Sequence, residues 1–584
     1  MNLFDVLELI GGLALFLFGM SVMGDGLEKS AGGRLKNILE KLTSNPLRGF
    51  LLGVGVTAVI QSSSATTVMV VGFVNSGVMK LSQAIGIIMG ANVGTTITSW
   101  ILSLSGIQGS NLFVKLLKPS SFSPILALIG IILYLSKSGK RKDTGSILLG
   151  FAVLMFGMQT MSGAVSGLAD VPEFTNILLL FSNPLLGLLT GAALTAIIQS
   201  SSASVGILQA LSSTGQVTYS TAIPIILGQN IGTCVTAMLS SVGASKNARR
   251  AAVVHLYFNA IGSLTFMALF YGLNALLRFQ FVALPINQFG IAVVHTSFNV
   301  LCTLVMLPFA KGLERLACMT IRDDTESEEP HTEPYLDERL MVTPSIAIGQ
   351  CRTHCIKMLE LTQEALVRAI SSVHHYTEEE FQFVSDCEAQ ADHYEDQLGT
   401  YLVKLSGKSL SEEESLEISQ LLYCIGDIER ISDHAKAISM IARTMHQQGV
   451  TFSQPAKEEF EVLSRAVEDV VELTVNAFTQ DKESLAARVE PLEQVVDKLG
   501  YRLKNRHVSR LREGSCTVEQ GMLFTDLISD YSRISDHCSN IAACIVEMKH
   551  DSFGPHQYLN TRKTEDELFR QEYHTLLDTY PLPQ

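Results

Sequence analysis

The sequence predicts an all-α, polytopic membrane protein: two inverted repeats, each with a re-entrant helical hairpin, followed by a cytoplasmic helical bundle. Three observations carry this expectation. Charge is divided unevenly: residues 1–318 hold 18 Lys+Arg and 9 Asp+Glu, and the remainder holds 25 and 48, within a net charge of −14 over 584 residues. A polar plug at 57–67, Thr-Ala-Val-Ile-Gln-Ser-Ser-Ser-Ala-Thr-Thr, interrupts an apolar segment and returns 138 positions later from Thr195 as Thr-Ala-Ile-Ile-Gln-Ser-Ser-Ser-Ala-Ser. Beyond Met341 the pattern changes to long amphipathic helices with few Gly or Pro.

The first part has no Asp or Glu between Glu40 and Asp143 or between Glu173 and Glu314, which is membrane composition. Residues 4–23 lack a basic leader and a small-residue cleavage site, and read as a first membrane helix. Further spans are expected at 82–104, 123–135, 146–165, 221–242, 251–273 and 286–309, the third of them short enough to need tilt or local thinning. The same offset of 138 carries Asn45-Pro46-Leu47 onto Asn183-Pro184-Leu185, Phe18-Gly19-Met20 onto Phe156-Gly157-Met158, and Gly90, Asn92, Gly94 and Thr95 onto Gly228, Asn230, Gly232 and Thr233. Four separated matches without a gap indicate a duplication, with repeats at about 1–138 and 139–318.

The stretch before the first plug, 47–60, would make a helix of roughly 21 Å, too short for a ~30 Å hydrocarbon core. A second short run follows the plug, so the pair reads as a hairpin entering and leaving on one side, with irregular backbone kept inside protein or against a cavity. The loop before the first hairpin carries Lys29, Arg34, Lys36, Lys41 and Arg48, and its counterpart at 166–183 has Asp170 and Glu173 but no Lys or Arg. By the positive-inside rule the two copies then enter the membrane in opposite senses, and seven crossings deliver the C-terminal part to the cytoplasm. The ten cysteines lack zinc-ribbon spacing and suit a reducing compartment.

Inverted repeats with broken helices meeting near the midplane bind ions with unwound carbonyls and half-helix N-termini. Neither plug contains a carboxylate, Lys or Arg, so a cation there is held by neutral oxygens, which suits sodium better than a proton relay. The candidate site residues are Gln61, Ser62, Ser63, Ser64, Thr66, Asn92 and Thr95 from the first copy, and Gln199, Ser200, Ser201, Ser202, Asn230 and Thr233 from the second. An anion would be met by hydroxyls and by free N–H groups where each second half-helix starts. His255-x-x-x-Asn259 and His295-x-x-x-Asn299 read as structural pairs.

These paired Gln-Ser-Ser-Ser segments, with Gly-x-Asn-x-Gly-Thr downstream, resemble the type II sodium/phosphate cotransporter family over roughly residues 1–315. The resemblance implies sodium-coupled movement of inorganic phosphate through a site shared by both hairpins, in a protein of the plasma (inner) membrane. The family includes importers and exporters, so direction does not carry over.

Residues 319–344 read as an acidic linker containing Pro330 and Pro334. A second duplication follows: Asp427-Ile-Glu429-Arg430-Ile-Ser-Asp433-His434 returns as Asp530-Tyr-Ser-Arg533-Ile-Ser-Asp536-His537. Ahead of each copy stand carboxylates four apart, Glu388 with Asp392 and Glu493 with Asp497, each pair on one helical face. The segment 345–551 resembles the PhoU family of phosphate-regulatory bundles. The resemblance implies a divalent or ferric metal held by Glu388, Asp392, Glu429, Asp433, Glu493, Asp497 and Asp536, and contact with phosphate-signalling proteins. Ser532 stands where the fourth motif would have an acid. Residues 552–584 read as a loosely held tail. No enzyme motif is present, neither a phosphate-cradling Gly-Lys-Ser/Thr loop nor a nucleophile elbow, and no nucleic-acid partner is expected. A signalling scaffold without transport, or a carrier of another small anion, is the competing reading; roughly ten hydroxyls and amides placed in hydrocarbon argue against the scaffold.

Overall fold

Residues 1–318 have little water to satisfy their backbone and so fold into helices, in which one segment pairs its own N–H and C=O groups. The computed structural model describes residues 3–40, 46–107, 116, 118–171, 176, 180–322, 336–547 and 567–583. They divide into a unit of Met1–Ala347 and a unit of Ile348–Gln584. Among the described residues no sheet forms; Thr218 and Pro285 make an isolated bridge.

The first unit contains α1 (Leu3–Glu40), α2 (Pro46–Ile60), α3 (Ser63–Asn75), α4 (Leu81–Gly94), α5 (Thr96–Ser103), α6 (Pro119–Tyr134) and α7 (Gly139–Ser166). The duplicated half follows as α8 (Pro184–Ile198), α9 (Ser201–Ser212), α10 (Tyr219–Ser240), α11 (Lys246–Leu277), α12 (Gln288–Met306) and α13 (Ala310–Thr320). Six stretches of the described residues are long and apolar enough to cross a membrane, which makes this an integral membrane protein. The span expected at 123–135 is α6, only 16 residues long.

Glycines set the close approaches, and they do so twice. A methyl on Gly53 or Gly90 would collide with Ile87 O or Phe50 O, and one on Gly191 or Gly228 would collide with Ile225 O or Leu188 O. All four contacts repeat at the offset of 138. They put α2 against α4 and α8 against α10 with backbones nearly touching. Between the halves, Gly12 faces Met161, Gly19 faces Leu154, Gly150 faces Met23 and Gly157 faces Phe16. Each of these pairs has residue numbers adding to 173. The equivalent helices α1 and α7 therefore run antiparallel, and their contact maps onto itself when the halves are exchanged.

Part of the expected linker, 323–335, lies outside the described residues. Its last portion, with a short helix at Glu338–Val342, is packed on the first unit as a strap. Asp337, 1% exposed, accepts from Asn75 Nδ2 at the end of α3 (2.7 Å) and from Arg339 Nη1 (2.8 Å). Arg339 donates onward to Ser240 O (2.6 Å) and Val242 O (3.2 Å) past the end of α10, and Asn75 Oδ1 accepts from Ser245 N (2.7 Å). Leu340 lies over Gly72, where any Cβ would meet its Cδ2 at 2.9 Å. A cation on free carbonyls at a helix C-terminus is favourable.

The second unit is a bundle of α14 (Pro344–Ser372), α15 (Glu378–Ser406), α16 (Glu412–Gln448), α17 (Gln454–Gln480), α18 (Glu483–Arg512) and α19 (Val518–Glu547), α14 starting within the first unit. Apolar residues such as Ile428, Phe460, Leu499 and Tyr531 fill it. Of the tail expected to be loosely held, residues 552–566 lie outside the described residues, and the described part corrects that expectation. Within it α20 (Glu567–Thr579) lies along α18, Tyr580 is buried, and Arg506 Nη1 donates to Pro583 O at 2.6 Å. Its residues Phe569, Tyr573 and Leu576 recur at helical spacing, enough for a short helix with a partner to lean on.

Candidate functional site

Each plug folds as two half-helices joined by a left-handed residue. Gln61 and Gln199 both have φ 58°, a region that disfavours a residue with a Cβ and costs of order 1–3 kcal/mol. The same strained turn is held twice, by Gln61 N donating to Thr57 O (2.8 Å) and Gln199 N donating to Thr195 O (2.7 Å). The next helix starts alike in both copies. Ser62 Oγ accepts from Ala65 N at 3.1 Å, and Ser200 Oγ accepts from Ala203 N at 3.2 Å. These serines are N-caps, and the remaining free N–H groups of the first turns belong to Ser63, Ser64, Ser201 and Ser202. Each tip is thus a concentration of neutral oxygens beside a helix N-terminus, able to hold a cation by the former and an anion by the latter.

The other predicted residues differ in role. Asn92 Nδ2 donates to Ile88 O (3.0 Å) and Asn230 Nδ2 donates to Ile226 O (2.8 Å), so both amides are turned back onto their own helices. Thr233 Oγ1 donates to Asn230 O at 2.7 Å. Thr95 is buried and marks a one-residue interruption between α4 and α5, whereas Thr233 sits inside the unbroken α10. Thr66 Oγ1 donates to Ser62 O (3.0 Å) and accepts from Thr57 Oγ1 (3.0 Å), which ties α3 to α2.

Several polar contacts escaped the reading of the sequence. Thr98 Oγ1 on α5 donates to Gln61 Oε1 at 2.9 Å. The next residue, Ser99, accepts at its carbonyl from Gln209 Nε2 of α9 (3.1 Å) and pairs its hydroxyl with His295 Nδ1 of α12 (2.6 Å). Both hairpins therefore reach consecutive residues of one helix. Thr98 could have been found, since Thr236 stands 138 positions on. His295 is the structural histidine expected. His255, also buried, has no protein partner at Nδ1, while Asn259 donates to its carbonyl at 3.0 Å.

In the bundle, one carboxylate oxygen each from Glu388, Asp392 and Asp433 lie within 4.8 Å of one another, as do those of Glu493, Asp497 and Asp536. Burial and then the neighbouring Glu388 and Asp433 push the Asp392 carboxyl above the usual range. Burial and Asp433 raise that of Glu429, which lies beside the first trio rather than within it, and burial and Asp536 raise that of Asp497. Lys436 Nζ sits 2.7 Å from Glu388 Oε2 and offsets part of the repulsion. All-carboxylate donor sets of this size fit a hard divalent or ferric cation. Ser532, in place of a fourth acid, offsets part of the rise in the Asp497 carboxyl. The duplicated motifs also cross over: His434 Nδ1 meets Asp530 Oδ1 at 2.9 Å and His537 Nδ1 meets Asp427 Oδ1 at 2.8 Å.

Comparison with known proteins follows the same division. Residues 15–163 and 167–297 match the Na+/Pi-cotransporter family, and residues 355–442 and 460–545 match the PhoU domain. YqeW of Bacillus subtilis is 31% identical over 325 residues, which are 54% of this chain and 99% of that protein. The chain belongs to the Na+/Pi-cotransporter family. YjbB of Escherichia coli K12, named as a candidate inorganic phosphate export protein, is 25% identical over 563 residues, 95% of this chain and 99% of its own. The rat sodium-dependent phosphate transport protein 2A is 38% identical over 106 residues, 18% of this chain and 16% of that one. PhoU from Pseudomonas aeruginosa covers 35% of the chain and 96% of that structure, with 20% identity and a TM-score of 0.33. This Na+/Pi-cotransporter family member is a transporter-family membrane domain joined to a PhoU domain, and its matches are not enzymes.

Proposed function

We propose that the protein moves inorganic phosphate across the inner membrane, coupled to sodium, through a cavity shared by the two hairpin tips, under the influence of a PhoU domain on the cytoplasmic side. One observation carries the reading: both hairpins are tied to adjacent residues of α5, the first by its tip, Gln61, through Thr98 and the second by Gln209 of α9 through Ser99, so the two hairpins converge on one helix. The antiparallel run of α1 and α7 supports repeats of opposite orientation in the bilayer, each hairpin re-entrant from its own side. Sodium would be held by Gln61, Ser62, Ser63, Ser64 and Thr66 and by Gln199 to Ser202, with phosphate at the N-termini of α3 and α9. Asn92, Thr95, Asn230 and Thr233 support the tips by shaping α4 and α10.

Charge bears on direction. With the inside negative by ~100 mV, importing a doubly charged phosphate costs about 4.6 kcal/mol at ~2.3 per charge. Two sodium ions cancel this electrically and add about 1.4 kcal/mol each per tenfold gradient. Phosphate leaving without co-moving sodium is favoured by the potential, whereas two sodium ions carried out with it cancel that gain and run against their own gradient; the naming of YjbB agrees with export, so export of excess phosphate is the direction proposed. The test is flux of radiolabelled phosphate in proteoliposomes of the full chain with an imposed sodium gradient. Flux that ignores sodium removes the coupling, and no flux removes the transport reading.

A further inference from the structure

The two repeats carry the same residues at the same spacing and yet are not in the same condition. In the first, Gln61 is buried and accepts from Thr98, 37 positions later, and the hydroxyls of Thr57 and Thr66 are bonded to each other at 3.0 Å. In the second, the equivalents of these four residues are Gln199, Thr236, Thr195 and Ser204. Gln199 is exposed, and the hydroxyls of Thr236, Thr195 and Ser204 are buried without a protein partner. The scaffold differs too. The helix bearing Thr98 is interrupted at Thr95, and the one bearing Thr236 runs unbroken through Thr233. One sequence pattern therefore has two conformations in a single molecule, at two places that share the strained φ of 58°.

Buried hydroxyls are seldom left unpaired, because the lost hydration is not returned. The first repeat displays the pairing that would satisfy those of the second. The chemistry to make it is present in both, since each hairpin has a glutamine amide at its tip and a threonine on the neighbouring helix. We infer that Thr98 and Thr236 are equivalent seats for the hairpin glutamines, occupied in turn: when Gln61 is held by Thr98, hairpin α8–α9 is unlatched, and seating of Gln199 on Thr236 goes with release of Gln61. The link between the two is α5, whose Thr98 holds one hairpin while its Ser99 carbonyl holds Gln209 of the other. A shift of α5 that frees Thr98 displaces Gln209 with it. These threonines are positioning residues, and the inference rests on the transport reading only for its purpose.

The experiment reads latching directly and does not depend on flux. Ala58→Cys and Ala196→Cys place equivalent reporters beside the two tips, both half-buried positions. Their labelling by a maleimide is followed in the purified full-length protein by mass spectrometry of the reporter peptide, so that the native cysteines stay in place. Thr98→Val should raise labelling at residue 58 and lower it at residue 196, changing the ratio of the two by about fivefold, the population shift worth one net hydrogen bond. Thr236→Val should act in the opposite sense at both reporters. Thr98→Ser and Thr236→Ser, which keep the hydroxyl, should return the native pattern. Valine variants that affect only their own hairpin, or that move both reporters in one direction, overturn the exchange and leave Thr98 as a packing contact. Should a reporter variant fail to fold, hydrogen–deuterium exchange of the 57–67 and 195–205 peptides gives the same reciprocal comparison. Absent phosphate flux in the native protein would overturn the transport reading without altering these outcomes.

Discussion

Replacing Asp337 by alanine should release the strap from the membrane unit. The carboxylate is buried between Asn75 and Arg339, and Arg339 depends on it to aim at Ser240 O and Val242 O. A hydrogen bond to a charged group contributes about 1.5–3 kcal/mol. The variant loses the Asn75 bond outright and the orientation of a guanidinium that is itself 21% exposed, so the loss is about 3 kcal/mol rather than the sum. That corresponds to a rise of about 150-fold in the undocked fraction. Trypsin reads it, because the bond after Arg339 is protected while the strap is docked. Cleavage follows the open population when redocking is fast. The Asp337→Ala protein should be cut after Arg339 about two orders of magnitude faster than the native one. A rate within about threefold of native would refute the view that this buried carboxylate holds the strap.

Other outcomes follow from the geometry. Gln61→Ala and Gln199→Ala should each abolish sodium-dependent phosphate flux with normal expression; retained flux in both would place the site elsewhere. Cysteines at Ser30 and Ser166, exposed positions at opposite ends of the α1–α7 pair, should react with an impermeant reagent from inside and outside respectively, and reaction from one side would remove the opposed orientation of the repeats. Asp392→Ala with Asp433→Ala should lower the divalent or ferric metal content of the full-length protein. Because Asp392, Glu429 and Asp497 have folded pKa values raised above their unfolded ones, the folded state binds protons more tightly. The metal-free bundle should therefore lose stability as pH rises through that raised range, and added metal should reverse the trend, as read by thermal unfolding at pH 4.5 and 7.

The sequence was most readable where chemistry repeats. The offset of 138 located both plugs, both left-handed glutamines and both serine caps, because a half-helix ending in a polar tip needs those residue types locally. Six of the seven bundle acids expected to act together do meet in two trios, since spacing of four fixes a helical face. What remained hidden was tertiary. Only its match to Thr236 at the offset of 138 singles out Thr98, and Ser99, Gln209 and His295 come together only when three helices pack. The acidic composition of 319–344 suggested a structureless linker and obscured Asp337, whose burial depends on a partner 262 residues away. Charge asymmetry gave no hint that the two hairpins would differ, because a duplicated sequence predicts duplicated structure.

The glycine contact between α1 and α7 is isologous, the arrangement of a C2 homodimer enclosed in one chain. Its axis passes near Leu17 and Met155, so each half carries a complete, self-complementary recognition surface. Recognition then does not depend on the peptide connecting the halves. Cutting the chain at the exposed turn around Lys137 should yield two fragments that find each other in the bilayer when co-expressed, and a bulky residue at Gly150 should prevent it. Connection in one polypeptide frees the two surfaces from having to stay identical, and a single tether, Asp337–Leu340, can then make different contacts with each half, Asn75 and Gly72 in one and Ser240 and Val242 in the other.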